Sequence, residues 1–434
     1  MPKSYKKLQQ NLKFDSLMNS LSQNFNRIPD HRRANASYRL ADVLKSAFAM
    51  FSLKCPSLLS FKEQTKHEKS NLRSIYQISK IASDTQMREI LDKVAPAPLR
   101  DLFRRLFTLL THCGVVKDYE YWHHHVIVSV DGVEHFCSTN IHCQHCTTKT
   151  HRNGELSYHH AGLAAVMVHP EYKEVFPLDF EPVLRADGAQ KNDCERTAAK
   201  RLCDDLQRRY PQLKMLLVED ALYANAPHIR QLQSYGWSYV LNVKADSHKS
   251  LFAHFEGRRR SGQVKEQSFA AGGVKHRFYY SNDLFLCDSA TDVRVNVLLY
   301  EEEDADGQVK RFSWITPINL TARSVGLVMR AGRARWKIEN ETFNTLKNQG
   351  YHFEHNYGHG YNHLATVLAL LMMLAFMVDQ IQERCCTTFR QLRAGLRTRA
   401  KLWDTLRGLF KVLSFRSMEA LLQRMALLYD LKIE

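Results

Sequence analysis

Arg335 and Glu339 stand one helical turn apart in the run Arg333-Ala334-Arg335-Trp336-Lys337-Ile338-Glu339-Asn340-Glu341-Thr342-Phe343-Asn344-Thr345-Leu346-Lys347. At about 100° per residue, their side chains lie within roughly 40° of each other on one face. A carboxylate held beside Arg, with Lys two turns on, is costly to bury and well suited to a metal and a phosphate. An exposed helix laced with ion pairs would account for the charges, but not for Trp336 and Phe343 among them. Two further carboxylates follow apolar runs: Asp131 after Val126-Ile127-Val128-Ser129-Val130, and Asp220 after Leu213-Lys214-Met215-Leu216-Leu217-Val218-Glu219. Three such groups are hard oxygen ligands for Mg²⁺ or Mn²⁺. Two ions roughly 3.5–4 Å apart can activate a water or a 3′-hydroxyl and stabilise the leaving oxygen of a phosphodiester. The chain carries no phosphate-binding glycine loop, no serine elbow and no His-Glu-x-x-His zinc motif that would point to other chemistry.

The elements that must position these residues are legible as patterns. The runs before Asp131 and Asp220 read as strands buried on both faces. Ala161 to Val168 and Trp237 to Val243 read as further strands, with helices to about Arg209 and over Ala221 to Tyr235 between them. This alternation predicts an α/β sheet with sites at the carboxyl ends of its strands, where both Asp residues would sit. Residues 245–312 change character. Turns at Arg258-Arg259-Arg260-Ser261-Gly262 and Ala271-Gly272-Gly273 separate short alternating segments, which predicts an antiparallel β insertion. Residues 313–390 return to the core through the Glu339 helix, and 391–434 form a C-terminal helical region. The core's first part spans 121–244.

Residues 1–120 read as all-helical, and Arg32, Arg33, Lys62, Lys66, Arg100, Arg104 and Arg105 make them a candidate DNA-binding domain. Each of these alone is as well explained by a solvated basic face.

Arg335-Trp336-Lys337-Ile338-Glu339 resembles the Tyr-Arg-Glu-Lys signature of bacterial insertion-sequence DDE transposases, in which Arg-Trp-x-Ile-Glu carries the last catalytic carboxylate. The resemblance extends over most of the chain. It implies an RNase H-like core interrupted by a β insertion and preceded by helices, with Asp131, Asp220 and Glu339 as catalytic and metal-binding triad. Arg333, Arg335 and Lys347 would contact DNA, and Trp314 is the candidate for holding a flipped base, a buried core Trp being the alternative. The implied activity is metal-dependent cleavage at inverted-repeat ends and strand transfer into target DNA by cut-and-paste, with two Mg²⁺ (or Mn²⁺) ions and a homodimer on double-stranded DNA. An RNase H-like nuclease and a catalytically silent DNA-binding descendant are the alternatives. Two positions depart from the signature. Its Tyr falls at Gly332, and Lys347 lies eight residues after Glu339 instead of seven, which leaves it about 80° away in a regular helix. A π-bulge would absorb the extra residue. Glu341 is the rival carboxylate, but it lies about 200° from Glu339.

A second constellation, Cys137, His142, Cys143, His145, Cys146, His151, His159 and His160, follows Asp131. Cys143-x-x-Cys146 has the knuckle spacing of structural zinc, which Cys137 and His151 could complete; a loop of reduced thiols is the other reading.

The whole-chain balance favours a polyanion partner. Sixty-one Lys+Arg against 45 Asp+Glu give a net charge of +16, and neutralising phosphates releases counterions. No amphipathic anchor or polybasic tail favours a membrane. Met1 to Asp15 is basic without an apolar core, unlike a signal peptide. Ten irregularly spaced cysteines do not resemble a secreted disulfide framework. Leu364 to Val378 is shorter than the roughly 20 residues of a membrane span and reads as a buried core helix. These features predict a reduced, cytoplasmic protein.

Overall fold

The computed structural model describes residues 10–431, except Ala34, residues 67–69 and Ala189. The reading of residues 1–9 as part of a segment unlike a signal peptide lies outside the described residues. Five strands build the core of one mixed sheet: β1 (His125–Ser138), β2 (Leu156–Val168), β3 (Phe176–Val183), β4 (Met215–Glu219) and β5 (Ser238–Asn242). Their order is β3-β2-β1-β4-β5. The pairs within β1 to β3 are antiparallel, and β1, β4 and β5 run parallel. The alternation of elements predicts an α/β sheet, and this order and direction of strands is the RNase H-like arrangement that the family resemblance implies. Helices Lys191–Arg209 and Ala226–Ser234 supply the crossovers that parallel neighbours require, the second capped by the Asn225 side chain on the His228 amide.

Asp131 is not at the end of a strand. β1 continues to Ser138 because its antiparallel partner β2 still pairs with it, from Asp131↔Ala164 to Ser138↔Tyr158. The parallel partner β4 stops earlier, at Ser129↔Val218. Asp131 therefore stands where the parallel half of the sheet ends, not where the strand ends.

The insertion opens with a helix, Lys249–Arg260, so that the basic run closes a helix and only Ser261 and Gly262 turn. Four antiparallel strands follow: β6 (Lys265–Ala271), β7 (Val274–Phe285), β8 (Arg294–Glu303) and β9 (Val309–Thr316). β9 also pairs with β5 through Trp314↔Asn242 and Ile315↔Leu241. The insertion thus extends the core sheet instead of forming a layer of its own.

Helix Leu364–Cys385 is long and apolar enough to cross a membrane, but its apolar window is fully buried inside the protein. Helices Phe14–Phe25, Leu40–Ser52 and Pro96–His112 pack against it, as does helix Thr387–Gly395 from the C-terminal side. Polar ties cross the same junction: Lys54 Nζ lies 2.6 Å from Asp379, and Gln382 donates to the Leu12 carbonyl at 2.7 Å. Arg100, expected among the phosphate contacts, is instead buried, with its guanidinium on Asp179 at 2.7 and 2.8 Å and on Glu181. It holds helix Pro96–His112 on β3, and to reach DNA it would have to give up its pairing with two buried carboxylates, leaving Asp179 to Arg209 and Glu181 to Arg201 alone.

Candidate active site

Register brings the first two carboxylates level. Ser129 and Val218 are partners across β1 and β4, and Asp131 and Asp220 each lie two residues further on. Side chains two apart in a strand return to the same face, so Asp131 leaves β1 on the side of Ser129, and Asp220 follows directly on the end of β4. Asp220 accepts the Leu222 amide at 2.9 Å, which turns the chain away from the sheet and fixes the carboxylate. Asp131 accepts the Gly132 amide at 2.9 Å.

The third carboxylate arrives on a helical rod that crosses β1, β4 and β5: Val325–Ala334, a turn at Arg335, a π-helical segment Ile338–Phe343, and Asn344–Asn348. Ser129 pins the rod to the sheet by donating to the Arg335 carbonyl at 3.1 Å. The Arg335 guanidinium, itself buried, then spans two acids, reaching Asp131 at 2.9 Å and Glu339 at 3.0 Å. Trp336 covers it, with the guanidinium carbon 4.9 Å from the ring centroid, and is half exposed. Burial pushes the Asp131 carboxyl up to about 6; the charges of Glu339 and Asp220 push the same way, while Arg335 and the Gly132 amide pull down. Asp131 thus feels the charge of both acids expected to act with it. The charge of Glu341 is felt at Lys337 and Arg399, where it favours the protonated forms.

The π-helical segment Ile338–Phe343 holds Glu339 and ends four residues before Lys347. A π turn holds one residue more than an α turn, so eight steps return Lys347 to about the angle that seven give in an α-helix. In this structure Lys347 pairs with Glu354 at 2.5 Å. Arg333 turns to the insertion, pairing with Glu302 and lying over the Phe312 ring at 5.1 Å.

Trp314 is a core residue, 2 % exposed and stacked on Phe312 with centroids 5.7 Å apart. Buried in β9, it offers no face on which a flipped base could stack. Its indole occupies the space over Gly332: a Cβ there would meet Trp314 Cε2 and Nε1 at 2.5 Å. At Gly332, where the signature's Tyr would fall, a side chain therefore has no room unless Trp314 moves.

Two contributors escaped the sequence patterns. Ser129 sits inside an apolar strand, and nothing in its neighbours distinguishes it from a packing residue. Glu195 reaches the same edge from helix Lys191–Arg209, with Oε1 3.6 Å from where a Cβ on Gly132 would stand.

The Cys/His constellation divides. Cys143, Cys146, His160 and His359 converge, their ligand atoms all within 4.8 Å of one another. The fourth member comes from a loop some 200 residues downstream, flanked by Gly358 and Gly360. Cys137 and His151, expected to complete the knuckle, lie elsewhere. Cys137 is exposed and groups with Glu134 and His159, and His151 bonds Ser157 at 2.8 Å.

No curated protein matches the chain. Residues 138–377, more than half of the 434, match the family described as a transposase DDE domain, a span that holds Asp220 and Glu339 and begins seven residues after Asp131. With its RNase H-like sheet and the acids gathered at the end of its parallel strands, the chain belongs to the DDE transposase family.

Proposed function

We propose that this transposase cuts DNA at the inverted-repeat ends of its own insertion sequence and joins those ends to target DNA, using Asp131, Asp220 and Glu339. The observation that carries this reading is the bridge from Arg335 to both Asp131 and Glu339, beside an Asp220 whose charge reaches Asp131. The donor set is all carboxylate oxygen, which fits Mg²⁺ or Mn²⁺ and not a soft metal. When bound, two such ions would supply Lewis acidity toward the attacking hydroxyl and the scissile phosphate.

The chain's own residues supply position. Arg335 holds two acids at one fixed separation, and Ser129 fixes Arg335 through its backbone. Lys347 and the exposed Trp336 border the same rod, where a DNA backbone would pass; Lys347 would exchange Glu354 for a phosphate. The net charge of +16 suits DNA. Synapsis of two ends by cut-and-paste calls for a homodimer on DNA.

The test is Mg²⁺-dependent cleavage of a duplex carrying the element's end, comparing wild type with Asp131→Ala, Asp220→Ala and Glu339→Ala, each also assayed for binding. Loss of cleavage with binding retained in all three supports the triad. Normal cleavage by Glu339→Ala, with loss in Glu341→Ala, overturns the assignment of the third acid. Cleavage without strand joining would make the protein a nuclease, and binding without any cleavage a silent DNA-binding protein.

A further inference from the structure

We infer that Cys143, Cys146, His160 and His359 form a closed structural zinc site that locks the exit of the Glu339-bearing rod to the β1–β2 hairpin. The inference stands apart from the catalytic reading and rests on the distances among four ligand atoms. Cys143 Sγ and Cys146 Sγ are 3.9 Å apart. His160 Nε2 lies 3.5 and 3.4 Å from them. His359 Nε2 lies 3.2 Å from Cys146 Sγ and 3.1 Å from His160 Nε2. A zinc tetrahedron with bonds of about 2.3 Å to sulfur and about 2.05 Å to nitrogen requires edges of about 3.8 Å for S···S, about 3.6 Å for S···N and about 3.3 Å for N···N. The five distances follow that order and match it to within a few tenths of an ångström.

The surroundings are those of a metal site. His359 Nδ1 donates to the Gly360 carbonyl at 2.6 Å, so a neutral His359 presents a lone pair, not a proton, at Nε2. Fixing a ligating imidazole through its other nitrogen is the usual role of an outer partner. The Cys143 amide points at Cys146 Sγ at 3.5 Å, and the His145 amide at Cys143 Sγ at 3.4 Å. Such N–H donors suit thiolates, the form a metal requires. His160 and His359 are buried, as is Cys146. Two thiolates with two imidazoles select zinc over the hard cations of the carboxylate cluster. All four positions are filled by protein, which leaves no place for a substrate and makes the role structural.

The ligands come from three separate pieces of chain: the loop after β1, β2 itself, and the loop that joins the Glu339 rod to the buried helix Leu364–Cys385. That last loop is held from its other side by Asp92, which accepts the amides of Tyr361, Asn362, His363 and Leu364 at 3.0–3.2 Å. Gly360 has φ +68°, and a Cβ there would lie 2.1 Å from Asp92 Oδ1, so only glycine lets the loop present His359 while capped by Asp92. The neighbouring group of Glu134, Cys137 and His159 is largely exposed, and its His159 is already engaged by Ser157 at 2.6 Å.

The test is metal analysis of the purified full-length protein, followed by exchange of Co²⁺ for the bound metal. About one zinc per chain is expected, with a thiolate-to-cobalt charge-transfer band after exchange. Cys143→Ser and His359→Ala should lose the metal, whereas Cys137→Ser and His151→Ala should retain it. His359→Cys should keep the metal and strengthen the charge-transfer band, which decides the matter even where Cys143→Ser fails to fold. Folded wild type that takes up neither Zn²⁺ nor Co²⁺ overturns the inference. So does loss of metal in Cys137→Ser or His151→Ala.

Discussion

Gly332 and Trp314 share one space: the indole lies where any side chain on Gly332 would begin. The rod that carries Arg335 and Glu339 therefore rests directly on β9, and the distance from rod to sheet is set by a ring against bare backbone. Gly332→Ala should destabilise the protein by about 1–3 kcal/mol through overpacking, read as a shift in the denaturation midpoint. Adding Trp314→Phe to Gly332→Ala should recover part of the loss, because a smaller ring makes room. A Gly332→Ala variant as stable as wild type would refute the contact.

Arg335 is the residue whose chemistry admits no near substitute. Its planar fork reaches Asp131 and Glu339 together, which the single ammonium of Lys cannot reproduce. Arg335→Lys is expected to lower single-turnover cleavage by about 10²-fold while leaving the affinity for end DNA nearly unchanged. Equal losses in binding and cleavage would make Arg335 a DNA contact and not an organiser of the acids.

Arg100 should behave as a structural residue. It serves Asp179, which is fully buried and also engaged by Arg209. Arg100→Ala leaves buried carboxylates short of charge and should cost about 3–5 kcal/mol, measured by chemical denaturation. DNA affinity of the folded variant should match wild type; a weakened affinity at full stability would return Arg100 to the DNA-binding surface.

Acid should loosen the loop around Asp92. Burial raises this carboxyl, but the amides of Asn362 and Tyr361, the Asn362 side chain and the Leu364 amide outweigh it and hold the group below its ordinary 3.8. The unfolded chain thus takes up the proton first on acidification. The stabilisation is fully present above pH 3.8 and is lost as pH falls through the lower folded value. Asp92→Asn should lower stability at neutral pH by about 1–3 kcal/mol and flatten the loss of stability below pH 3.8. An unchanged acid limb in Asp92→Asn would show that the cap contributes nothing.

Local chemistry in the sequence was sufficient for the fold class and for most of the elements, and it singled out the three acids as candidates. The continuous apolar runs before Asp131 and Asp220 specify strands buried on both faces, because no solvated face would carry them. The spacing of Arg335 and Glu339 specifies one helical face, since the period is a property of the backbone. If Lys347 holds the signature position, the one-residue surplus before it calls for a helical irregularity, and a π-helical segment lies at Ile338–Phe343. What the sequence could not determine depends on contacts between distant segments. β1 outlasts its parallel partner only because β2 continues beside it. The insertion joins the core sheet through two residue pairs with β5. His359 replaces His151 in the Cys/His cluster because a glycine-flanked loop, capped by Asp92, folds back over some 200 residues. Pairing of this kind is decided by burial and hydrogen-bond satisfaction across the whole fold, and no local pattern records it.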